Sequence, residues 1–300
     1  MGIINILPKS VYNRISAGEV VERPASVVKE LFENAIDAGA SNIIVSIERG
    51  GLDEIFVSDD GKGMTKDDLP KAFLPHATSK INRAEDLDNI VTLGFRGEAI
   101  ASIASVSECR ISTKLRADDV GYTLTSIGGS LGNISEAPCT DGTSVTVSRL
   151  FFNTPARLKF LKSDKSEERE VTSTMEKLIL ANPDVSVKYF ADDKLVLQSF
   201  GGGEEDAALA VYGGEFIDKC YKIYNEANGI CVKGYIGNTN FYKANRTYQT
   251  VIVNGRFVED KTVSLAVGNA YSSYLMKRQF PVYVLSIVVP PEILDVNVHP

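Results

Sequence analysis

The chain has 300 residues, which allows one large domain or two domains of ordinary size. With 44 % hydrophobic and 24 % charged residues the composition is typical of a globular chain with a real core, and we expect no membrane-spanning segment because no run of about 18 apolar residues occurs. The net charge of −7 excludes a surface covered in DNA-binding charge, so any DNA contact must come from a local basic patch and be weak and salt-sensitive.

Helices and strands alternate in the first half of the chain. Apolar spacing predicts a short helix over Ser10–Gly18 and a longer one over Pro24–Asp37, where Pro24 suits the first turn and Gly39 follows as a stop. The elements expected next are strands over Asn42–Glu48 and Glu54–Asp59, a polar helix from Thr65, a loop or lid over Ala77–Leu93, a small-residue helix over Gly97–Val106, and strands around Cys109–Thr113, Tyr122–Ile127 and Thr143–Arg149.

The second half begins with a predicted helix over Ser166–Leu180, which Asn182-Pro183 ends. Asn254-Gly255 between two apolar runs is a strong hairpin signal. The strands expected in this half are Val185–Phe190, Leu195–Phe200, Tyr248–Val253, Phe257–Val258 and Val282–Val289. We place the domain boundary after the helix and assign residues 1–200 to the first domain and 201–300 to the second.

The helix over Pro24–Asp37 carries an unusual polar stripe. Glu30, Asn34 and Asp37 have the spacing i, i+4 and i+7 and share one side, opposite an apolar stripe. Most stripes of this kind are solvated faces, but those are usually rich in Lys and Glu, whereas Asn34 is a poor helix former. The stripe is therefore a candidate functional face.

Two glycine-containing segments are further candidates. Asp59 ends a strand and is followed by Gly61 and Gly63, so its carboxylate can accept hydrogen bonds from a ligand amine while the glycines let the backbone approach a flat ring. The segment Gly94–Glu98 runs into a helix whose free N–H groups can bind an anion. Taken singly, most segments of this kind are ordinary turns or loops.

Several common sites are excluded. The chain contains no GxxxxGK[ST] phosphate loop and no GxGxxG after a strand. Its two histidines are too few for a metalloprotease, and its four cysteines (Cys109, Cys139, Cys220 and Cys231) form no CxxC pair. We therefore expect neither a disulfide framework nor a zinc site. We do expect a cytoplasmic location.

Taken together and in this order, the segments resemble the ATPase superfamily that includes DNA gyrase, heat-shock chaperones, histidine kinases and MutL. Within that superfamily the sequence resembles the MutL-type DNA mismatch-repair proteins along its whole length. The matching strings are AGEVVERP at 17–24, VVKELFEN at 27–34, DAGA at 37–40, HATSK at 76–80, LGFRGEA at 93–99, FNTPAR at 152–157 and DVNVHP at 295–300.

The resemblance implies a magnesium-dependent ATPase. It implies that Glu30 is the general base that orients the attacking water and that Asn34 is the side-chain ligand of Mg²⁺. For the base of ATP it implies that Asp59 accepts from the adenine amino group, with Thr143 as its companion and Gly63 near the ring. The residues implied in phosphate binding or the lid are Thr78, Ser79, Lys80, Gly94, Phe95, Arg96, Gly97 and Glu98.

The sequence departs from the family pattern in two places. Asp60 stands where many relatives carry Asn, which adds negative charge near the adenine end. Relatives also continue past the His-Pro string to a lysine that reaches the terminal phosphate, and we expect hydrolysis by a chain ending at Pro300 to be impaired.

The resemblance further implies an α+β fold. Residues 1–200 would form a two-layer α/β sandwich, with helices on one face of a mixed sheet and ATP between them, and residues 201–300 a smaller α/β domain of ribosomal-protein-like type that is truncated at its C-terminal end. The implied partners are DNA, a mismatch-recognition protein, a downstream nuclease or helicase, and a second copy in an ATP-dependent homodimer.

Two kinds of function remain open from the sequence. One is a slow ATPase, and the other is a clamp in which ATP binding drives dimerisation and hydrolysis resets it. A gyrase-like protein is a rival within the superfamily, and the string at 152–157 argues against it. One set of basic residues has two possible explanations, a DNA-facing groove or an ordinary solvated face, and acidic residues interleaved among them favour the solvated face. The basic residues are Arg157, Lys159, Lys162, Lys165 and Arg169.

Overall fold

The computed structural model describes residues 21–78 and 97–290. Its α-helices are α1 (Pro24–Asp37), α2 (Ala99–Ser105), α3 (Pro155–Phe160), α4 (Asp164–Ala181), α5 (Glu204–Tyr212), α6 (Gly214–Lys219) and α7 (Lys261–Ala270). Its strands are β1 (Asn42–Glu48), β2 (Glu54–Asp59), β3 (Glu108–Lys114), β4 (Gly121–Ile127), β5 (Ser130–Leu131), β6 (Ser135–Ala137), β7 (Gly142–Ser148), β8 (Ser186–Ala191), β9 (Lys194–Phe200), β10 (Cys220–Ala227), β11 (Ile230–Gly237), β12 (Tyr242–Lys243), β13 (Gln249–Val253), β14 (Arg256–Val258), β15 (Phe280–Pro281) and β16 (Tyr283–Val288).

Helix α1 has the bounds that the sequence predicts. It begins at Pro24, after an extended Arg23, because proline has no N–H to lose in the first turn. One side is buried against β1 and β2, and burying such side chains contributes roughly 1.5–3 kcal/mol each. The buried apolar residues of this side are Val27, Val28, Leu31, Phe32 and Ala35.

The sheet beneath α1 has the strand order β5-β4-β3-β7-β2-β1-β8-β9, with β6 also paired to β4. Ile43, Val45 and Ile47 of β1 are buried and lie on the same face as Ile55 and Val57 of β2, as the antiparallel register requires. This alternation gives the helix a continuous apolar floor.

The sheet is mixed rather than wholly antiparallel. β2 pairs antiparallel with β1 and β7, and β3 pairs antiparallel with β7 and β4. Asp192, directly after β8, donates its N–H to the carbonyl of Ile47 near the end of β1 (3.0 Å). The carboxyl ends of the neighbouring strands β1 and β8 therefore lie together, so these two strands run parallel. This large mixed sheet with helices confirms the predicted α+β class.

The described residues divide into two units. The first comprises those up to 175 together with 187–198, and the second comprises 176–186 and those from 199 onward. In the second unit, the sheet order is β10-β11-β16-β13-β14, with β13 and β16 parallel and α7 in the connection between them. Its core contains the buried Val251, Tyr283 and Leu285. Assigning residues 1–200 and 201–300 to functional domains stays a prediction.

Most predicted elements are confirmed within a residue or two, including the hairpin at Asn254-Gly255 between β13 and β14. The polar helix predicted from Thr65 is wrong. Residues 66–70 form turns, followed by a 3-10 helix at Lys71–Phe73. Pro70 has no N–H to continue an α-helical ladder, and the segment instead buries Leu69 and Phe73.

Some predictions fall outside the described residues. These are the helix over Ser10–Gly18 and, apart from Ala77 and Thr78, the lid over Ala77–Leu93. Across 21–78 and 97–290, none of the helices has the length and apolar character needed to cross a bilayer.

Candidate functional site

The polar stripe of α1 is present as predicted. Glu30 and Asn34 lie one helical turn apart and are partly exposed, whereas Leu31 and Phe32 between them are buried. Glu30, Asn34 and Asp37 each make at least one interaction within the protein. A carboxylate and an amide thus stand on one side of a helix whose other side is fixed to the sheet.

Polar side chains form a row across three neighbouring strands at the end of β2. The register pairs Asp59 with Thr143 of β7, and Thr143 with Thr113 of β3. All three therefore lie on the face that also carries the buried Val57 and Ile111. The hydroxyl oxygens of Thr113 and Thr143 are 3.1 Å apart. The sheet thus brings together two of the predicted site residues, Asp59 and Thr143, with a third that the sequence interpretation missed.

Asp59 is held in a largely desolvated position. Desolvation raises the pKa of its carboxyl group and is the largest cause of the shift; the nearby charge of Asp60 acts in the same direction. Hydrogen bonds from the backbone N–H groups of Gly61 and Thr143 oppose the increase, and the Gly61 bond spans 2.8 Å. A ligand group that donates to this carboxylate would relieve the cost of burying it.

The loop after β2 connects this row to α1. Lys62 donates its N–H to the carbonyl of Ala38 at the end of α1 (3.0 Å), and Met64 donates its N–H to the hydroxyl of Thr113 (2.9 Å). Between them, Gly63 has φ of +70°, and a Cβ there would collide with the carbonyl of Lys114. Only glycine meets both demands without strain. The contact of Gly63 with adenine itself stays a prediction.

Asp60 has a structural explanation that the sequence did not provide. Its carboxylate accepts the backbone N–H groups of Ser41 (2.7 Å) and Asn42 (2.9 Å) and the side-chain amide of Asn42 (2.8 Å). Partial desolvation alone would raise the pKa of Asp60, but the hydrogen bonds from Asn42 and Ser41 outweigh it and the pKa is lowered. Asp60 therefore anchors the start of β1.

The segments on either side of residues 79–96 meet at Gly97. Its φ is +61°, and a Cβ would collide with the backbone of Ala77. Next to it, Oε1 of Glu98 lies 3.0 Å from Nδ1 of His76. The Glu98 carboxylate thus has a partner of its own, so an anion at the start of α2 would face backbone groups rather than this side chain. Thr78 is partly exposed and is engaged in an interaction.

The remaining predicted site residues lie outside the described part of the chain. They are Ser79, Lys80, Gly94, Phe95 and Arg96. Over the residues that are described, no cluster of three or more His, Cys, Asp or Glu side chains could hold a metal ion. A metal beside α1 would therefore take much of its coordination from a ligand and water, as Mg²⁺ commonly does.

An open cavity of about 530 Å³ also adjoins Asp59. Its lining includes Ile44 and Ser58, which alternate with the buried Ile43 and Val57 and so lie on the opposite face of the sheet. Lys114, bound to Asp141 at 2.6 Å, also lines it. We therefore distinguish this cavity from the candidate site beneath α1.

Thr113 is the site residue that sequence interpretation missed. The inward positions of β3 are otherwise apolar, as at Cys109 and Ile111. Thr113 is a polar residue at such an inward position, and it is fully buried. The feature that could have indicated its role is a threonine at an inward position directly beside Thr143. It could be read only once the pairing of β3 with β7 was known.

Comparison with known proteins identifies the class of this fold. Residues 22–127, which carry α1, Asp59 and Thr113, match the family of histidine kinase-, DNA gyrase B-, and HSP90-like ATPases. Residues 208–300 match the C-terminal domain family of DNA mismatch repair proteins.

Individual relatives point to one kind of protein within this class of ATPases. The chain is 45 % identical over 298 residues to the DNA mismatch repair protein MutL of Clostridium beijerinckii, and 44 % identical to that of Clostridium tetani. Each match covers 99 % of this chain but 45 % and 48 % of the relatives, so the chain spans a little under half their length. Over 99 % of its length the chain is similar to MutL-type DNA mismatch-repair proteins, as its motifs predicted.

Solved structures agree with this assignment. The Aquifex aeolicus MutL ATPase domain complexed with ADP has a TM-score of 0.71 at 26 % identity, covering 91 % of this chain and 94 % of that one. The N-terminal domain of a DNA repair protein has a TM-score of 0.82 at 26 % identity, covering 96 % and 90 %. The gyrase-like alternative is thereby set aside.

Proposed function

We propose that this chain binds ATP between α1 and the polar row, and hydrolyses it slowly within a mismatch-repair protein. The observation that carries the proposal is the row of Asp59, Thr143 and Thr113, which places a desolvated carboxylate beside a hydroxyl at the end of β2. Support comes from the ATPase family match over residues 22–127 and from the ADP complex of the Aquifex relative.

The base of the nucleotide would bind at this row. An exocyclic amine has two N–H donors, and Asp59 is a partly buried acceptor whose desolvation the hydrogen bonds from the protein do not fully offset. This accounts for a preference for adenine, whose six-position bears an amine.

The phosphates would extend towards the polar stripe of α1. There the Asn34 amide oxygen is suited to a hard cation, and Mg²⁺ held by it and by phosphate oxygens would supply charge neutralisation. Glu30, one turn earlier, would orient a water molecule towards the γ-phosphorus and accept its proton. Positioning and electrostatics dominate this chemistry, so one carboxylate and one amide on a rigid helix suffice as the protein's share.

The biological output that we propose is a nucleotide-gated clamp. ATP binding would favour a homodimer, and hydrolysis would reset it, with a mismatch-recognition protein and a downstream nuclease or helicase responding to the dimer. A simple ATPase is the second candidate, and the same site supports it. The whole protein's partners are proposed here from the family alone.

DNA contact is proposed to be weak and to come from part of the basic set at 157–169. Arg157 donates to the carbonyl of Val21 (3.2 Å) and lies 5.7 Å from the ring of Phe151, and Lys162 pairs with Glu170 (3.8 Å). The side chains of these two residues are therefore already engaged within the protein. The remaining Lys159, Lys165 and Arg169 are the candidates for phosphate contacts.

The test measures ATP binding by calorimetry and the dimer fraction by light scattering, with Mg²⁺ and with a non-hydrolysable ATP analogue. Saturable binding together with analogue-induced dimerisation supports the clamp. Binding and turnover without any change in oligomeric state would favour the simple ATPase. Absence of ATP binding would contradict both.

A further inference from the structure

The buried hydroxyl of Thr113 has three polar neighbours. It receives the N–H of Met64 at 2.9 Å, donates to the carbonyl of Gly142 at 3.0 Å, and lies 3.1 Å from the hydroxyl of Thr143. Thr113 is 0 % exposed, whereas Thr143 is partly exposed at the candidate site. Thr113 therefore contacts the site through Thr143 and not directly.

Counting protons fixes the direction of each bond. A hydroxyl has one proton to donate and two lone pairs with which to accept. The amide of Met64 can only donate to Thr113, and the carbonyl of Gly142 can only accept from it. The single proton of Thr113 is thus committed to Gly142, so the third contact forms only if Thr143 donates its own proton to Thr113.

The consequence is that Thr143 presents only lone pairs to the site. Its neighbour in the row, Asp59, is also an acceptor, and the N–H of Gly61 already occupies one of its oxygens. Two side-chain acceptors next to each other match a ligand edge that donates. They oppose an edge that carries a carbonyl oxygen, because acceptors facing one another leave buried polar groups unsatisfied.

We propose that Thr113 is a positioning residue that fixes the hydroxyl direction of Thr143 and so makes the site select 6-amino purine nucleotides over 6-oxo purine nucleotides. This inference rests on the proposed function, since it concerns how the same site chooses its base. Asp59 supplies the charge, and Thr113 removes the freedom of Thr143 to turn its proton towards a carbonyl oxygen.

The experiment compares the dissociation constants of ATP and inosine triphosphate, whose bases carry an amine and a carbonyl oxygen, respectively, at the six-position, and an unprotonated and a protonated N1. We expect wild type to favour ATP, and Thr113→Ser, which keeps the hydroxyl, to keep the ratio. Thr113→Val lacks the hydroxyl and frees the Thr143 proton, so the ratio should fall about tenfold, the scale of one hydrogen bond.

A purely structural role for Thr113 would weaken both nucleotides alike, and an unchanged ratio in folded Thr113→Val overturns the inference. Thr113→Ala is a second hydroxyl-free variant, checked for folding by circular dichroism. If neither Thr113 variant folds, Thr143→Val at the partly exposed position replaces them. It should also lower the ratio of ATP affinity to inosine triphosphate affinity, and an unchanged ratio in this variant overturns the inference as well. Failure of wild type to bind ATP would instead overturn the proposed function, and this inference with it.

Discussion

Oδ1 of Asp59 accepts the backbone N–H of Gly61 at 2.8 Å, so a partly buried carboxylate is held at the end of β2 by the turn that follows it. This bond lowers the cost of the charge without removing it, since desolvation still raises the pKa of Asp59. A protein optimised only for stability would place a neutral side chain here. The carboxylate is best explained by a ligand that donates to it.

Replacing Asp59 should separate stability from binding. Asp59→Asn removes a desolvated charge, so we expect the melting temperature of the empty protein to stay the same or rise. ATP affinity should fall about 10- to 100-fold, because a hydrogen bond to a charged acceptor contributes roughly 1.5–3 kcal/mol. Calorimetry and thermal unfolding measure the two effects.

Asp60→Asn is the matched control, because it makes the same chemical change one residue later. It weakens the bonds to Ser41 and Asn42 that hold β1, so stability should fall while ATP affinity stays near that of wild type. Equal losses of affinity in the two variants would remove Asp59 from the site.

The pH dependence of binding follows from the same carboxyl group. The pKa of Asp59 is raised in the folded protein, and a donating ligand needs the ionised form, so ATP affinity should be present above that pKa and lost as pH falls through it. For the empty protein the sign is reversed: the contribution of Asp59 to stability is greatest at low pH and is lost as pH rises through the raised pKa. Titrations of wild type and Asp59→Asn over about pH 4–7 test both signs, and Asn should flatten both curves. Identical curves for the two proteins would show that another group is responsible.

Gly63 provides a test of the loop that we propose to lie beside the base. Gly63→Ala combines a strained φ of +70° with a collision against the Lys114 carbonyl, whereas Gly39→Ala shares a positive φ of +75° but meets no atom within 4 Å. The φ strain alone costs about 1–2 kcal/mol. We expect Gly63→Ala to lose more unfolding free energy than Gly39→Ala and to bind ATP more weakly. Denaturant unfolding of the pair measures the difference, and equal losses would mean that the close approach at Lys114 is readily relaxed.

Much of the fold was predictable because its signals are local. The alternation in β1, the apolar stripe of α1 and the Asn254-Gly255 turn each specify an element without reference to the rest of the chain. The assignment of Asp59 and Thr143 to the site came from the family resemblance and stays a prediction, to which the structure adds that the two residues are paired across β2 and β7. Thr113 and the role of Asp60 were not, since both depend on contacts between distant strands or loops, and the helix from Thr65 failed because tertiary burial of Leu69 and Phe73 prevailed over local pattern.

DNA binding should depend steeply on salt. The net charge of −7 leaves only local patches to meet the phosphates, and removing one cation that binds a phosphate reduces the salt slope by about one. Substituting Lys165 and Arg169 together by Gln should weaken binding and flatten the slope. Lys162→Gln is the control, because Lys162 is already paired with Glu170. Affinity that is constant from low to physiological salt would contradict an electrostatic interaction.

The proposed site divides its work, with the polar row binding the base and Glu30 serving the chemistry. The most direct test of this division measures ATP affinity and turnover of Glu30→Ala beside wild type. Turnover should fall by about 10²–10⁴-fold, the usual contribution of a positioned base, while ATP affinity stays within a few-fold and the dimeric state accumulates. Asn34→Ala should differ by losing magnesium-dependent affinity. Hydrolysis by Glu30→Ala at the wild-type rate, or complete loss of ATP binding in that variant, would contradict this division of roles.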